Sequence, residues 1–514
     1  MNTKVQSLFF IACLIMQTNL FAQKATSKSI TIKSTLISNV QIIDGTGSKP
    51  IFGAVRFVGD KIVGIGNVKA MAGDKIIDGK GLVLAPGFID AHSHHLADLQ
   101  KNPNGLSTSN QGITTVVIGQ DGESYPMDSL VKDMCTKPVV ANVASYTGHS
   151  SLREEVMGEK NLFRNATQAE VDKMKLILKS ELDKGSLGLS TGLEYEQAFY
   201  SNRDEVIQLA KIAANEKTRY ISHIRSEDVT MADALDEIIQ IGKITNMPVQ
   251  ISHIKLAKKS DWGTAAHILE QLEKARAEGV QITADVYPYT FWNSTLRVLF
   301  PARDYTNLAS AQLAVTQLFD PSESYIVQFA PHPSYVGKTL SAIAKERKES
   351  DAQALMSLVA IAADFKEKNP GYKGSVEAIA AKSMSEADVA KFIAWPYSVI
   401  CSDGNAGGHP RGYGSFTRVL GKYVRIDKVI NLTNAIHKMT GQTASYLGIK
   451  DRGVIAVGNK ADLVLLDPSQ VIDHASIGNS HALSSGIEMV WVNGALIYKD
   501  QKATGNCPGV LIKR

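Results

Sequence analysis

The sequence predicts an α/β protein with a (β/α)8 TIM-type barrel, a small β-sandwich formed by both chain ends and an insertion before the last barrel strand. Two observations carry this prediction. Eight short apolar segments in the centre of the chain alternate with amphipathic helical patterns, and eight parallel strands close such a barrel. Strand-like patterns without intervening helices occupy both ends of the 514-residue chain.

The chain begins with the pattern of a secretory signal peptide. Lys4 precedes an apolar run from Leu8 to Met16, and small Ala22 marks the expected cleavage point. The run is shorter than the ~20 residues that span a bilayer. We therefore expect residues 1–22 to be removed from an exported, periplasmic protein; the alternatives are an uncleaved signal anchor and a chance apolar N-terminus.

The two chain ends are expected to share one sandwich, made of residues 23–84 and 451–514. Alternating and β-branched residues at 55–58 and 61–65 are separated by the turn residues Gly59 and Asp60. Near the other end, Asn493-Gly494 is a hairpin turn between two apolar runs.

The barrel is expected over residues 85–450. Helical apolar spacing predicts helices at 170–182, 204–214, 231–244 and 265–277. The stretch from about 300 to 391 is too long for one crossover and is expected to be a polar, helical insertion. The eight predicted strands are at 82–90, 113–119, 139–146, 187–193, 219–223, 249–253, 282–287 and 397–403.

The composition argues against several classes of partner. With 44% hydrophobic and 21% charged residues, the chain has the profile of a globular protein. Its 55 basic and 51 acidic residues include no Lys/Arg-rich run, so we expect neither a nucleic acid nor a membrane as partner after signal cleavage. The three cysteines of the mature chain form no disulfide framework and no CxxC pair. The pattern of residues indicates nothing about oligomeric state.

Metal-binding residue types cluster where the predicted strands end. In a barrel these ends meet at one mouth, where active sites lie. Neutral imidazole suits Zn²⁺ and similar ions, and His223 and His253 occur in parallel contexts, Ile-Ser-His-Ile. Asp403 is either a helix N-cap or, as we favour, a general base facing the histidines. The other candidates at strand ends are His92, His94 and Asp121, with His149 near the third strand.

The substrate-binding candidates follow the same strand ends. Lys255 lies two residues beyond His253 and would face the same side of a continuing strand. Tyr195 and Tyr287 end the fourth and seventh predicted strands and could donate hydrogen bonds to a substrate carboxylate; Arg297 is a weaker candidate.

Several segments at the predicted strand ends form motifs. They are Pro86-Gly87-Phe88-Ile89-Asp90-Ala91-His92-Ser93-His94, Gly188-Leu189-Ser190-Thr191-Gly192-Leu193-Glu194-Tyr195, Ser252-His253-Ile254-Lys255, Asp285-Val286-Tyr287-Pro288-Tyr289, Ser402-Asp403-Gly404 and His409-Pro410-Arg411. These motifs resemble those of the D-aminoacylase (N-acyl-D-amino-acid deacylase) family of the amidohydrolase superfamily, and the resemblance covers nearly the whole mature chain. The resemblance implies a barrel with a small β-sandwich and metal-dependent hydrolysis of N-acyl-D-amino acids, with Asp403 as base and then acid. D-selectivity comes from the resemblance alone.

One motif departs from the family. Its members commonly have Gly-Asn-Cys-Gly after the second strand, with the Cys as zinc ligand, whereas this chain has Gly119-Gln120-Asp121-Gly122. Asp121 either ligates through oxygen or only orients a ligand, with Glu123 or water completing the coordination. Residues 187–195 contain no lysine, which argues against a hydantoinase-like two-metal centre.

The metal prediction is one tight Zn²⁺ on His223, His253 and Asp121, with a second, weaker site at His92 and His94. Two other functions remain open. The same chemistry would serve a dipeptidase acting on peptides with a C-terminal D-residue. An inactive barrel used as a binding scaffold is disfavoured, because Asp403 and the histidines are all present.

Overall fold

The computed structural model describes residues 34–405 and 407–514. The expected signal peptide at 1–22 lies outside the described residues. Within the described part, no helix has both the length and the apolar character that a membrane span requires. The described part begins with five strands: β1 Ser34–Ile42, β2 Ile51–Val58, β3 Lys61–Gly66, β4 Asp74–Asp78 and β5 Val83–Pro86.

The predicted strand at 82–90 is in fact two strands that belong to different sheets, so that prediction is wrong. The first part is β5, which pairs with β1, and the second is β6, Phe88–Asp90, which runs parallel to the next central strand. Gly87 separates them. A Cβ on Gly87 would lie 2.2 Å from Thr114 Oγ1, so no other residue fits between the two sheets without displacement.

The central strands are short, parallel and buried, as expected for strands covered by helices on one side and packed together on the other. In chain order they are β7 Ile113–Ile118, β8 Asn142–Ser145, β9 Thr147–Gly148, β10 Gly188–Gly192, β11 Arg219–His223, β12 Val249–Ile251 and β13 Ile282–Val286.

The four helices predicted between these strands are present, and their ends agree with the prediction within two residues. The helix predicted at 170–182 is bounded by a capping box in which Thr167 and Glu170 bind each other's backbone N–H groups. The helices of this half are α1 Leu96–Lys101, α2 Leu106–Ser109, α3 Met127–Thr136, α4 His149–Met157, α5 Gln168–Asp183, α6 Glu196–Phe199, α7 Arg203–Asn215, α8 Met231–Thr245 and α9 Ala265–Ala277.

The insertion differs from its prediction in start and content. It already begins with a strand at Phe291 and contains an antiparallel three-stranded sheet, because its apolar residues form a separate buried core around Phe300, Phe319 and Leu355. The expectation of a helical, polar segment is therefore confirmed for the helices and wrong for the strands and the buried apolar core. Its elements are β14 Phe291–Ser294, α10 Leu308–Leu313, β15 Tyr325–Phe329, α11 Leu340–Arg347, α12 Asp351–Lys368 and β16 Glu377–Lys382.

The chain then returns to the parallel strands. Helix α13, Glu386–Ala394, packs against α9, and strand β17, Ser398–Ile400, pairs with β13. The remaining elements are α14 Arg411–Arg418, a π-helical turn at Val419–Ile426, α15 Leu432–Met439, α16 Gly441–Leu447, β18 Leu463–Leu466, β19 Ile487–Val492, β20 Ala495–Lys499 and β21 Lys502–Ala503.

The parallel strands form a TIM-barrel-type α/β arrangement. One sheet has the order β6-β7-β8 and the other β17-β13-β12-β11-β10-β9. Only Tyr146 separates β8 from β9, and a parallel bridge joins Ser93, beyond β6, to Gly404, beyond β17. The carboxyl ends of β6 and β17 therefore lie side by side, which brings the two extremes of the central region together.

Strands from the two chain ends combine in one nine-stranded sheet. Its centre is β18, which pairs with β5 from the N-terminal part and with β19. Successive residues of β18 face opposite sides. Leu463 and Leu465 join a core with Phe57 and Trp491, while Val464 packs into the core of the parallel strands.

Candidate metal centre

The structure brings together all six residues predicted for metal binding and catalysis. The carboxylate of Asp121 lies between two pairs of histidines. In the first group, His253 Nε2 is 3.1 Å from His223 Nδ1 and 3.3 Å from Asp121 Oδ1, and His223 Nδ1 is 3.9 Å from that oxygen. Tetrahedral ligands ~2.0–2.1 Å from a Zn²⁺ ion lie about 3.3 Å from one another. The first group therefore fits such an ion.

The second group uses the other oxygen of Asp121. Oδ2 lies 3.4 Å from His92 Nε2 and 3.3 Å from His94 Nε2. Asp403 Oδ1 lies 3.6 Å and 3.3 Å from the same two nitrogens. These separations also suit the ligands of one divalent cation, so Asp121 stands between two candidate positions, with one oxygen toward each.

Hydrogen bonding supports the assignment of a cation site. Buried polar atoms in folded proteins nearly always have partners. Within the described part of the chain, both ring nitrogens of His92 and Oδ1 of Asp121 are buried without a hydrogen-bond partner. A cation in the first group would give Oδ1 of Asp121 a partner, and a cation in the second group would give the Nε2 lone pair of His92 a partner.

The backbone at the site is unusual. Asp121, His253 and Asp403 have φ angles of 56°, 34° and 49°, in the left-handed region that side chains disfavour. Such conformations concentrate at functional sites, where the surroundings hold them in place. Close packing does so here: a Cβ on Gly192 would lie 2.0 Å from the carbonyl oxygen of Asp121.

Asp403 is ionised in this environment. Burial alone would raise the pKa of its carboxyl, but the adjacent Arg411 guanidinium and the histidines outweigh burial and hold that pKa below its usual range. Burial and Lys255 likewise oppose the charged form of His253, but Glu227, Asp403 and Asp121 raise its pKa to about 10. The carboxylates thus attract positive charge, and a bound cation would compete with that proton.

The predicted substrate-binding residues lie beside the first group. Lys255 Nζ donates to both carboxylate oxygens of Glu227, at 2.6 and 2.7 Å. Tyr287 lies between two cations, 5.7 Å from Lys255 Nζ and 4.9 Å from the Arg411 guanidinium, measured to its ring centre. Its hydroxyl is buried without a partner among the described residues. The Tyr195 ring centre lies 4.5 Å from that of His223.

An open cleft connects the metal centre to solvent. Its barrel side includes Glu123 and Gln197, and its other side is formed by the insertion, including Arg297, Val359 and Lys366. Arg297, the weaker candidate for substrate binding, is paired with Glu196 at 3.1 Å. A smaller, more enclosed chamber shares Asp403 with this cleft and is also lined by Lys255.

His149 does not belong to the metal centre, although it follows the third predicted strand. Its Nε2 is 2.8 Å from Glu205, which also accepts from Arg153 at 2.6 Å, and this buried cluster joins α4 to α7. His95 and His409 have structural partners as well, the carbonyl oxygens of Gly412 and Phe291.

Sequence reasoning missed three residues at the site. Arg411 pairs with Asp403, Glu194 with His223 and Glu227 with His253. Arg411 and Glu194 lie inside the motifs that carried the resemblance, so their positions carried a signal. Glu227 follows His223 by four residues in a loop, and its residue type and spacing alone indicate no partner.

Comparison with known proteins shows the family to which the chain belongs. The model of the amidohydrolase family matches residues 75–498. The chain is 31% identical to an N-acyl-D-aspartate deacylase from Alcaligenes xylosoxydans xylosoxydans, over 93% of this chain and 94% of the relative. It is 30% identical to a D-aminoacylase from the same organism, over 93% and 97%.

Solved structures give the same result. A crystal structure of D-aminoacylase superimposes with a TM-score of 0.82 and 30% identity, over 93% of this chain and 99% of the other. An N-acyl-D-glutamate deacylase from Bordetella bronchiseptica, complexed with zinc and a phosphonate mimic of the tetrahedral intermediate, has a TM-score of 0.82 and 29% identity, over 93% and 99%. The matched family model, these relatives and the shared architecture together place this chain in the amidohydrolase family.

Proposed function

We propose that this protein hydrolyses N-acyl-D-amino acids in a metal-dependent reaction, releasing a carboxylate and a free D-amino acid. The observation that carries the proposal is the convergence of two histidine pairs, Asp121 and Asp403 at one cleft. The relatives named as deacylases of D-amino acids match over nearly the whole chain, which favours this activity over a dipeptidase or an inactive scaffold. Selectivity for D-residues rests on those relatives.

The residues divide the chemistry between them. A divalent ion bound here would polarise the amide carbonyl and lower the pKa of a water toward ~7. Asp403 accepts the proton of the attacking water through Oδ1 and then delivers it to the leaving nitrogen. Arg411 binds Oδ2, at 2.6 Å, and keeps the carboxylate ionised between turnovers.

For the metal, we propose Zn²⁺ held tightly by His223, His253 and Asp121, with a second ion at His92 and His94. The distances within the first group support the tight site. The separation of the two Asp121 oxygens supports a second site, because each oxygen faces a different histidine pair. The zinc complex of the N-acyl-D-glutamate deacylase supports the choice of metal.

The substrate carboxylate is assigned to Lys255, Tyr195 and Tyr287. Lys255 supplies positive charge next to His253, and the unpartnered hydroxyl of Tyr287 supplies a donor. Charge-assisted hydrogen bonds of this type are about twice as strong as neutral ones. They would hold the amino-acid half of the substrate on the chamber side and leave the acyl half for the open cleft.

Two further features belong to the proposal. With β8 and β9 counted as one strand, the eight parallel strands would close as one barrel through the contact between β6 and β17. The sheet of the chain ends would fold into a two-layered sandwich around its own core. Export to the periplasm rests on the N-terminal sequence pattern alone.

The test is hydrolysis of matched N-acetyl-D- and N-acetyl-L-amino acid panels by the zinc-reconstituted protein, with Asp403→Asn as control. We expect release from the D-panel, reduced ~10²- to 10⁴-fold in the control, as for loss of a general base. A third panel of L-Xaa-D-Xaa dipeptides distinguishes a deacylase from the alternative, a dipeptidase. Turnover of dipeptides only would overturn the deacylase assignment, and no turnover by the metal-loaded protein would overturn both activities.

A further inference from the structure

Both histidines of the first group have their second ring nitrogen against a buried glutamate. His223 Nε2 lies 2.8 Å from Glu194 Oε2, and His253 Nδ1 lies 2.9 Å from Glu227 Oε1. The two glutamates are 5% and 7% exposed. Neither has a direct role in the chemistry described above.

The acceptor next to an imidazole decides which nitrogen carries the proton. A neutral imidazole has one N–H and one lone pair, and an ionised carboxylate only accepts. Glu194 therefore favours N–H at Nε2 of His223 and leaves the lone pair on Nδ1. By the same argument Glu227 leaves the lone pair of His253 on Nε2. These are the two nitrogens that converge, 3.1 Å apart, beside Asp121.

His253 has a competing neighbour. Lys255 Nζ lies 2.6 Å from the same Nδ1. An ammonium group only donates, so it favours the lone pair on Nδ1 and the proton on Nε2, where a metal would be excluded. Glu227 opposes this because both of its oxygens accept from Lys255, at 2.6 and 2.7 Å, while Oε1 also accepts from His253.

The backbone fixes both glutamates in these positions. Glu194 directly follows Leu193, whose N–H donates to the carbonyl oxygen of His223 at 3.0 Å. The carbonyl oxygen of Glu227 accepts from the N–H of Ala257 at 3.0 Å, two residues beyond Lys255. Each glutamate is thus tied to the loop that carries the histidine or lysine it contacts.

We propose that Glu194 and Glu227 are positioning residues that select the metal-binding nitrogens of His223 and His253, and that Glu227 does so against Lys255. The inference rests on the metal centre of the proposed function. Partners of metal-bound histidines typically change metal affinity ~10- to 100-fold when they are replaced.

The test measures the Zn²⁺ dissociation constant of the full-length apo protein by competition with a chelator. We expect Glu194→Ala and Glu227→Ala each to weaken binding ~10- to 100-fold. Glu194→Gln should recover most of the affinity, because an amide oxygen still accepts from Nε2–H. Glu227→Gln should recover less, because a neutral amide does not offset Lys255.

A double variant isolates the competition. If Glu227 acts against Lys255, then adding Lys255→Met to Glu227→Gln should restore Zn²⁺ affinity to within a few-fold of wild type. Glu196→Ala is the matched control, since Glu196 lines the same cleft but binds Arg297 and Tyr305 rather than a histidine. Its Zn²⁺ affinity should equal that of wild type.

Two further readouts separate positioning from folding. The absorption spectrum of the Co²⁺-substituted protein should change in the alanine variants, and the thermal midpoint of their apo forms should stay close to that of apo wild type. Unchanged Zn²⁺ affinity in Glu194→Ala and Glu227→Ala would overturn the inference while leaving the metal centre intact. Loss of affinity in Glu227→Ala alone would also overturn it, because Glu194 would then have no positioning role. Wild-type protein without tight Zn²⁺ binding would overturn the metal centre itself.

Discussion

The guanidinium of Arg411 contacts the carboxylate of Asp403, with Nη1 2.6 Å from Oδ2. The other carboxylate oxygen, Oδ1, faces His94 at 3.3 Å. Arg411 begins helix α14, so the start of a helix holds the far side of the carboxylate that follows β17. One oxygen of Asp403 therefore binds Arg411, and the other faces the metal centre.

Removing this contact should alter the pH dependence of catalysis. Burial raises the pKa of Asp403, and Arg411 is the largest of the influences that lower it. In Arg411→Met the pKa should rise, so the base becomes protonated at higher pH. We expect the acid limb of kcat/KM to move to higher pH and kcat/KM at neutral pH to fall roughly 100-fold, the lower end of what a positioned base contributes.

Arg418→Met is the control for this prediction. Arg418 ends the same helix and pairs with Asp473 at 3.2 Å, away from the site. The acid limb of the kcat/KM profile of Arg418→Met should match that of wild type. An unshifted acid limb in Arg411→Met would contradict the role assigned to Arg411.

Asp121→Ala should weaken both metal positions. One oxygen faces His253 and the other faces His92 and His94, so both groups lose an oxygen. Removing a direct ligand should exceed the ~10- to 100-fold effect of removing a ligand's partner. Metal content after dialysis and chelator competition are the measurements, with Asp403→Ala as the comparison that affects the second group only. Retention of one tight ion by Asp121→Ala would mean that Asp121 orients a ligand instead.

Lys255→Met should raise KM for N-acyl-D-amino acids. A lost hydrogen bond to a charged group costs ~1.5–3 kcal/mol, which corresponds to a roughly 10- to 100-fold increase. The comparison substrate is the N-acyl amine that lacks the carboxylate, whose kcat/KM should be equal for the two proteins. An equal loss on both substrates would show that Lys255 acts through Glu227 and His253 rather than on the carboxylate.

The cluster around His149 should stabilise the fold rather than catalyse. Burial would raise the pKa of Glu205, but His149 and Arg153 lower it from 4.5 to about 2. The pKa is lower in the folded protein, so this stabilisation is complete above about pH 4.5 and is lost as the pH falls through about 2. Glu205→Gln should reduce the free energy of unfolding at pH 7 by about 3 kcal/mol.

Urea denaturation at several pH values tests this prediction. The difference between wild type and Glu205→Gln should narrow as the pH falls below about 4.5. Glu278→Gln, which removes an exposed pair with Lys243, should leave the free energy of unfolding unchanged. If the difference in free energy of unfolding stayed constant down to pH 2, Glu205 would stabilise the fold through packing rather than through its charge.

Much of the site could be predicted because it follows from strand direction. His92, Asp121, His253 and Asp403 come directly after short apolar segments, and parallel strands bring their carboxyl ends to one edge. The four main helices were predictable for a similar reason, since their apolar spacing is a local property of the chain.

Two predictions were wrong, the single strand at 82–90 and the polar character of the insertion. In both cases the sequence pattern of a segment does not indicate which other part of the protein packs against it. Residues 82–90 have the uniform apolar character of a single buried strand, and only the approach of Thr114 to Gly87 divides them. The insertion contains enough charged residues to appear polar, yet Phe300, Phe319 and Leu355 pack together when its strands pair.

Local pattern was thus sufficient for the order of elements, the barrel-type architecture and the residue types at the strand ends, because each depends on residues close together in the chain. Only the folded chain decides which Asp121 oxygen faces which histidine pair, and that Arg411, Glu194 and Glu227 lie against Asp403, His223 and His253. Those contacts depend on distances of about 3 Å between side chains on separate loops, and such distances are set by the packing of strands and helices, not by spacing in the sequence.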